Sequence, residues 1–236
     1  MKQITILSTV IILGLMLPFT GGAQTAENQG PPVDSIKVSP TDSSAKEFEK
    51  HFAMTEISHL QKWSDSIAHD RYNQNKTNMT ILAAWAGVNI IQGAISATNA
   101  TGSGPYFFRM NAYWNVVNLG IASLGLLQLR KELNKQYSLP QNHLAQQKLE
   151  KILLLNTGLD LAYITTGLLL KENGNRTSNL RNTGFGNSLL LQGAFLLVFD
   201  LVQYGNHRRN GKLLETQLSK LQIQAGPNGI GLSLPL

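Results

Sequence analysis

Carboxamide and carboxyl side chains recur at helical spacing inside stretches of this sequence that are otherwise apolar. These residues are Asn89, Asn118, Asn156, Asp160, Gln192 and Asp200. In an apolar environment such groups either hydrogen-bond across helices or bind a proton or a cation. Asp160 lies far from any basic residue of its stretch, so both interpretations stay open for it. Asp200 lies close to the end of its stretch, near Lys151, Arg130 and His207, where an ion pair is expected.

Four apolar windows of transmembrane length contain these polar residues: residues 79–98, 110–129, 152–170 and 185–204. Each window has 19 or 20 residues, which matches a helix that crosses a hydrocarbon core of about 30 Å. Polar and small residues occupy one stripe of each window. Because amides that face lipid would be costly, these stripes are expected to face a common interior. The sequence therefore predicts an all-α membrane protein, with an antiparallel four-helix transmembrane bundle over residues 79–205 and a shared polar interior.

Aromatic and small residues on the same stripes are expected to pack the helices together. They are Trp85, Trp114, Gly125, Tyr163 and Gly167. Counting residues inward from the ends of each window places the polar groups in two layers. The layer near the midplane contains Asp160, Asn89 and Asn118. The other layer pairs Asn156 with Asp200, nearer the side on which the first window begins.

The composition of the whole chain blends these windows with polar flanking regions. Among 236 residues, 14% are charged, the net charge is +6 and the mean hydropathy is −0.09. Soluble domains carry about 25% charged residues, and here only Asp160 and Asp200 are charged within the four windows. The chain has no cysteine, which excludes a disulfide framework and every thiolate metal site.

The sequence contains no nucleotide-binding, phosphate-binding or hydrolase motif. We therefore expect no enzymatic activity and no cofactor. Three histidines, His51, His59 and His69, are eight and ten residues apart, unlike the i, i+4 spacing that places two ligands on one helical face, so no metal site is expected. The basic residues lack the interleaved aromatic side chains of a nucleic-acid surface, so no nucleic-acid partner is expected either.

The N-terminal region has three parts. Residues 1–23 have the features of a secretory signal peptide, with Lys2 before an apolar core and small residues at the end. Residues 24–44 are rich in Pro, Ser and Gln and predict a disordered linker. Residues 45–78 predict an amphipathic extramembrane helix, which either lies in the membrane interface or packs against the bundle.

Residues 206–236 form a polar tail with one regular feature. Apolar and polar residues alternate over 221–225 and 230–234, on either side of a Gly-Pro-Asn-Gly turn. This pattern predicts a small C-terminal β-hairpin, and the alternative is a disordered end. An isolated hairpin is marginally stable in water, so we expect it to pack on the extramembrane helix or on a partner.

The charge distribution and the signal peptide predict opposite orientations. With four spans, 15 basic residues lie on the side where the first window begins and four lie on the other side. The positive-inside rule would place the basic side in the cytoplasm, whereas a working signal peptide places it outside. We favour the signal peptide, which makes the N- and C-terminal segments periplasmic.

The order of the segments WAGVNI, RMNAYWNVVNLGIASLGL, LEKILLLNTGLDLAYITTG and GNSLLLQGAFLLVFDLVQY resembles a bacterial family of signal-bearing four-span membrane proteins. That family is catalogued as a domain of unknown function. The resemblance covers residues 78–204 and rests on Trp85, Asn89, Trp114, Asn118, Asn156, Asp160, Gln192 and Asp200. It implies a multi-pass protein of the bacterial inner membrane and brings no activity with it.

Two functional hypotheses follow. The first is a non-enzymatic integral membrane protein, an accessory or scaffold whose partners are the lipid bilayer and another envelope protein. Its oligomeric state is left open. The alternative is a small channel or transporter that uses the polar interior around Asp160 as its path.

Overall fold

The computed structural model describes residues 43–132, 135–220, 222–226 and 229–233. The predicted signal peptide, residues 1–23, lies outside the described residues, as does the predicted linker up to residue 42. The chain divides into two compact units, Met1–Ala53 and Met54–Leu236, and the tertiary packing reported below lies within the second.

The described part of the chain contains four long helices. They are α1 (Ser43–Asn99), α2 (Gly104–Glu132), α3 (Leu139–Arg176) and α4 (Leu180–Lys220). Three of them, α1, α3 and α4, are long and apolar enough to cross a membrane. Helix α2 contains the predicted window 110–129, but the asparagines on its inner face lower its hydropathy. The structure thus supports membrane-crossing capability for three of the four predicted spans.

Helix α1 runs through the predicted domain boundary at residue 78. The structure has one uninterrupted helix of 57 residues, instead of a separate helix over residues 45–78 that leads to a span. No glycine or proline interrupts α1 before Gly87, so nothing in this part of the sequence breaks the backbone hydrogen-bond ladder. Buried residues of α1 lie on both sides of this boundary, Ile67 and Arg71 before it and Leu82 and Ala86 after it.

Short connections make α1 and α2, and likewise α3 and α4, antiparallel neighbours. Between α1 and α2 the chain turns at Gly102, which adopts a left-handed φ of 61°. Between α3 and α4 the turn uses Ser178, with φ 54°. The α3 helix begins after Ser138, whose backbone N–H donates to the side-chain oxygen of Gln141 at 3.1 Å, and Pro140 stands in the first turn, where its missing N–H costs nothing.

Glycines allow α3 and α4 to approach so closely that their backbones are in contact. A Cβ atom on Gly186 would lie 2.5 Å from the backbone nitrogen of Lys171 and 2.6 Å from the carbonyl oxygen of Gly167. At Gly193 a Cβ atom would lie 2.8 Å from the side chain of Ile164. Small residues at such positions are the usual means of close packing between helices in membranes.

Large apolar side chains cover the outside of the predicted windows. Val88, Ile91, Leu124 and Val198 are each more than 60% exposed. The polar residues of the same windows point inward, as the next section describes. The helices therefore have the inside-out polarity expected of a bundle in lipid.

Two short strands follow α4. They are β1 (Gln222–Gly226) and β2 (Gly229–Ser233). They pair antiparallel, with Gln222 opposite Ser233 and Gly226 opposite Gly229.

Candidate functional site

The first polar cluster of the interior, here called the amide network, joins α1, α2 and α4. It consists of Trp85, Asn89, Asn111 and Gln192. The Asn111 side-chain amide donates to the Asn89 side-chain oxygen at 2.7 Å, and the Gln192 amide donates to the Asn111 side-chain oxygen. The indole N–H of Trp85 donates to the side-chain oxygen of Gln192 at 3.0 Å. Each carboxamide oxygen in the network therefore accepts a hydrogen bond from another helix.

Asn111 replaces Asn118 as the predicted partner of Asn89. Counting from the window ends placed Asn118 at the level of Asn89, but the structure pairs Asn89 with a residue seven positions earlier in α2. Asn118 is buried and donates to the side-chain oxygen of Asn115 at 3.4 Å. The α2 helix begins at Gly104, fewer residues after the end of α1 than the window 110–129 predicts. The shorter connection shifts the register of α2 along α1.

The second cluster is an acidic pair between α3 and α4. Asp160 and Asp200 are both buried, and their carboxyl groups hydrogen-bond to each other. Asn156 also bonds to Asp200, and the Gln203 amide donates to it at 3.4 Å. The Oδ2 atom of Asp160 is buried without a hydrogen-bond partner.

The acidic pair corrects two expectations. The prediction separated Asp160 from Asp200 by layer, whereas the structure brings the two carboxyls together and keeps only the contact of Asn156 with Asp200. The ion pair expected for Asp200 is also absent, since the ion pairs of the described residues are those of Arg208 with Glu150 and Glu215.

The residues predicted to pack the helices lie at helix contacts. The Trp85 ring stacks on Phe195 of α4, with centroids 3.8 Å apart. Trp114 of α2 meets Tyr163 of α3 edge to face at 4.7 Å. A Cβ atom on Gly125 would lie 2.6 Å from the sulfur of Met79 in α1, and one on Gly167 would lie 2.9 Å from the carbonyl oxygen of Gly186.

Sequence reasoning missed a third cluster, here called the juxtamembrane core, in the parts of α1, α3 and α4 beyond the predicted windows. It consists of Ser64, Arg71, Asn142, Gln146, His207 and Asn210, all of them buried. The Asn142 amide donates to the Ser64 carbonyl oxygen at 2.7 Å. The Arg71 guanidinium donates to the carbonyl oxygen of Asn142 at 3.3 Å and also to its side-chain oxygen. These bonds fix α1 to α3.

The same core joins α4 to the other two helices. The Gln146 amide donates to the backbone oxygen of His207 at 2.6 Å, and the Asn210 amide donates to the Asp70 carboxylate at 2.7 Å. Burial lowers the pKa of His207 from its ordinary 6.5 to about 4, and the positive charge of Arg71 adds to this effect. Its imidazole is therefore neutral at pH 7.

An apolar cluster and an ion-pair group flank the juxtamembrane core. Ile67, Leu139 and Leu214 pack together at the end away from the predicted windows. Arg208 bridges two carboxylates, at 3.2 Å from Glu150 and 2.8 Å from Glu215. The sequence feature that could have indicated this core is the helical spacing of Ser64, Ile67 and Arg71 on one face of α1. Most of the buried residues are polar and lie among other polar residues, so hydropathy does not distinguish them from exposed ones.

The chemistry available in these clusters is hydrogen bonding and proton binding. Among the residues that the structure describes, no group of three or more His, Asp or Glu side chains could hold a metal ion. The three clusters lie one after another along the interior, with the juxtamembrane core at one end and the amide network towards the other.

This fold and its interior define a class: a helical protein with helices that could span a membrane and polar side chains bonded to one another between them. The chain belongs to the family of unknown function DUF6992, which matches residues 81–201. The matched region includes the amide network and the acidic pair but ends before His207. No curated protein and no solved structure matches the chain significantly. The predicted membership of a domain of unknown function is thus confirmed, while the bacterial origin, the signal peptide and the four spans stay predictions.

Proposed function

We propose that the protein is a non-enzymatic integral membrane protein of the bacterial inner membrane, an accessory or scaffold that presents its juxtamembrane helices and C-terminal hairpin to an envelope partner. The observation that carries this proposal is the packed continuation of α1, α3 and α4 beyond the predicted windows. Arg71 and Asn142 join α1 to α3, and Gln146 and His207 join α3 to α4. A packed body of this kind beyond the predicted windows supports a binding role for this part of the protein.

The outer surface of this body carries apolar side chains that lipid would not cover. Ile57 of α1 is 65% exposed, Leu144 of α3 is 63% exposed and Leu213 of α4 is 46% exposed. All three lie outside the predicted windows. Exposed apolar side chains are what a protein partner buries on binding.

Site-specific photo-cross-linking in cells tests this proposal. A benzophenone amino acid at Ile57 or Leu144 is expected to form an adduct of discrete mass with a second protein. The same probe at Val88, which is 64% exposed on the outside of a predicted window, is the matched control and should give lipid adducts only. Absence of a protein adduct from both juxtamembrane positions would remove the basis for a scaffold role.

The proposal includes periplasmic N- and C-terminal segments, supported by the predicted signal peptide. A C-terminal alkaline phosphatase fusion is expected to be active, because the enzyme folds only after export. Fluorescence from a matched C-terminal cytoplasmic reporter, with an inactive phosphatase fusion, would instead place the 15 basic residues inside.

The acidic pair supports a second candidate, a small channel or transporter. Two hydrogen-bonded carboxyls with one unpartnered oxygen, on Asp160, form a group that can take up and release a proton between helices. Proteoliposomes with the purified protein are then expected to show proton or cation flux that falls at least about tenfold in Asp160→Asn. The control is Asp65→Asn, since Asp65 is an exposed residue outside the windows. Flux that is absent, or equal in both variants, would reject this candidate.

A further inference from the structure

His207 occupies a position that a histidine seldom has, at the centre of the juxtamembrane core. Its side chain is completely buried. Neither Nδ1 nor Nε2 has a hydrogen-bond partner, and both atoms are inaccessible to solvent. The core bonds to this residue through its backbone, since the Gln146 amide donates to the His207 carbonyl oxygen. The imidazole is therefore enclosed by three helices without being bonded to any of them.

The charges around His207 come from each of the packed helices. On α1, Arg71 disfavours a positive imidazole, whereas Asp70 favours one. On α3, Glu150 binds Arg208 of α4 through Oε2. The Oε1 atoms of Glu150 and Gln146 are buried without a hydrogen-bond partner and do not reach either imidazole nitrogen. The Asp70 carboxylate already accepts from Asn210 and from Gln74. The guanidinium of Arg71 keeps its charge in this setting, held by Asn142 and by the ring of Tyr137 at 5.2 Å.

We propose that His207 and Arg71 form an acid-sensitive latch, in which protonation of His207 separates the juxtamembrane parts of α1, α3 and α4. In the closed core a protonated imidazole would carry two N–H donors with no acceptor within hydrogen-bond distance of either nitrogen, beside a guanidinium of the same charge. A buried charge without a partner is strongly unfavourable. Opening of the three helices lets water solvate the imidazolium, so protons favour the open form.

The sign and range of the effect follow from proton linkage. The pKa of His207 is about 4 in the closed core, against 6.5 when solvated. The open form therefore binds more protons between these values, and acidification through this range shifts the equilibrium towards it. Between pH 7.5 and pH 4.5 the ratio of open to closed forms is expected to rise roughly 70-fold.

Distance measurements on the full-length protein in lipid nanodiscs test the latch. The chain has no cysteine, so spin labels at Asn73→Cys in α1 and Leu144→Cys in α3 would be its only thiol labels. Both positions are exposed and lie in the juxtamembrane helices. We expect one narrow distance population at pH 7.5 and a longer, broader population that grows on acidification to pH 4.5.

Three substitutions separate His207 from other titrating groups. In His207→Gln the acid-induced population should be lost between pH 6.5 and pH 4.5, whereas His69→Gln, which changes an exposed histidine of α1, should keep it. Arg71→Gln removes the neighbouring positive charge, so its transition should begin at a higher pH. Unchanged distances in the parent protein, or an acid response that persists in His207→Gln, would overturn the proposal without affecting the cross-linking test of a scaffold role.

Discussion

Gly186→Ala is expected to lower the free energy of unfolding by about 3 kcal/mol, the upper part of the range for overpacked positions. The added Cβ atom would lie 2.5 Å from the backbone nitrogen of Lys171 and 2.6 Å from the carbonyl oxygen of Gly167. Both atoms belong to the backbone of α3, so no side-chain rotation can relieve the contact. The two helices must move apart, and the contacts that run along α3 and α4 are weakened together.

The measurement is unfolding in mixed micelles of dodecylmaltoside and SDS, monitored by loss of helical circular dichroism. Gly205→Ala in the same helix is the matched control, because a Cβ atom there would meet nothing within 4 Å. That variant should be neutral or up to about 1 kcal/mol more stable, as alanine favours a helix over glycine. Equal stability of the two variants would show that α3 and α4 do not approach each other at Gly186.

Asn142→Leu is expected to destabilise the protein by about 2 to 3 kcal/mol, the range for hydrogen bonds to a charged group. Asn142 is completely buried, accepts from the Arg71 guanidinium and donates to the Ser64 carbonyl oxygen at 2.7 Å. Leucine fills a similar volume but provides no acceptor, so the buried charge of Arg71 loses its main partner. The loss falls on the contact between α1 and α3.

Limited trypsin digestion, together with SDS-induced unfolding, locates this effect. Arg71 and Lys76 of α1 should become cleavable in Asn142→Leu at neutral pH, because the helix is no longer fixed to α3. The control is Asn73→Leu, which makes the same chemical change at an exposed position one turn from the core. A protected α1 in both variants would mean that the Arg71–Asn142 contact does not hold the helices together.

The inner faces of the predicted windows could be predicted from the sequence, because the polar residues there differ from their apolar neighbours. Asn89, Asp160 and Gln192 stand at helical spacing among Leu, Ile and Val, and in the structure they are buried between helices. The hydrogen-bond partner of each of these residues could not be predicted from the sequence. The counting assumed that all windows begin flush with one membrane face, whereas the register depends on where each helix actually begins and ends.

The juxtamembrane core escaped prediction for a different physical reason. Outside the windows, polar residues are expected on exposed and buried faces alike, so Arg71, Gln146 and His207 do not stand out from their neighbours. Their burial depends on the relative positions of three helices that are far apart in sequence. The composition changes near residue 78, but no helix-breaking residue stands there, and α1 continues through this position.

Once the juxtamembrane core no longer fixes α1 to α3, the uninterrupted α1 helix would move as one rigid rod. From residue 79 back to Met54 the helix extends for about 38 Å at 1.5 Å per residue. A tilt of about 10° at residue 79 would move the far end by roughly 7 Å, since no Gly or Pro between these residues can absorb the rotation as a kink. A tilt of this size, set among the buried amides of Asn89 and Asn111, would thus move Ile57, about 33 Å from residue 79, by roughly 6 Å.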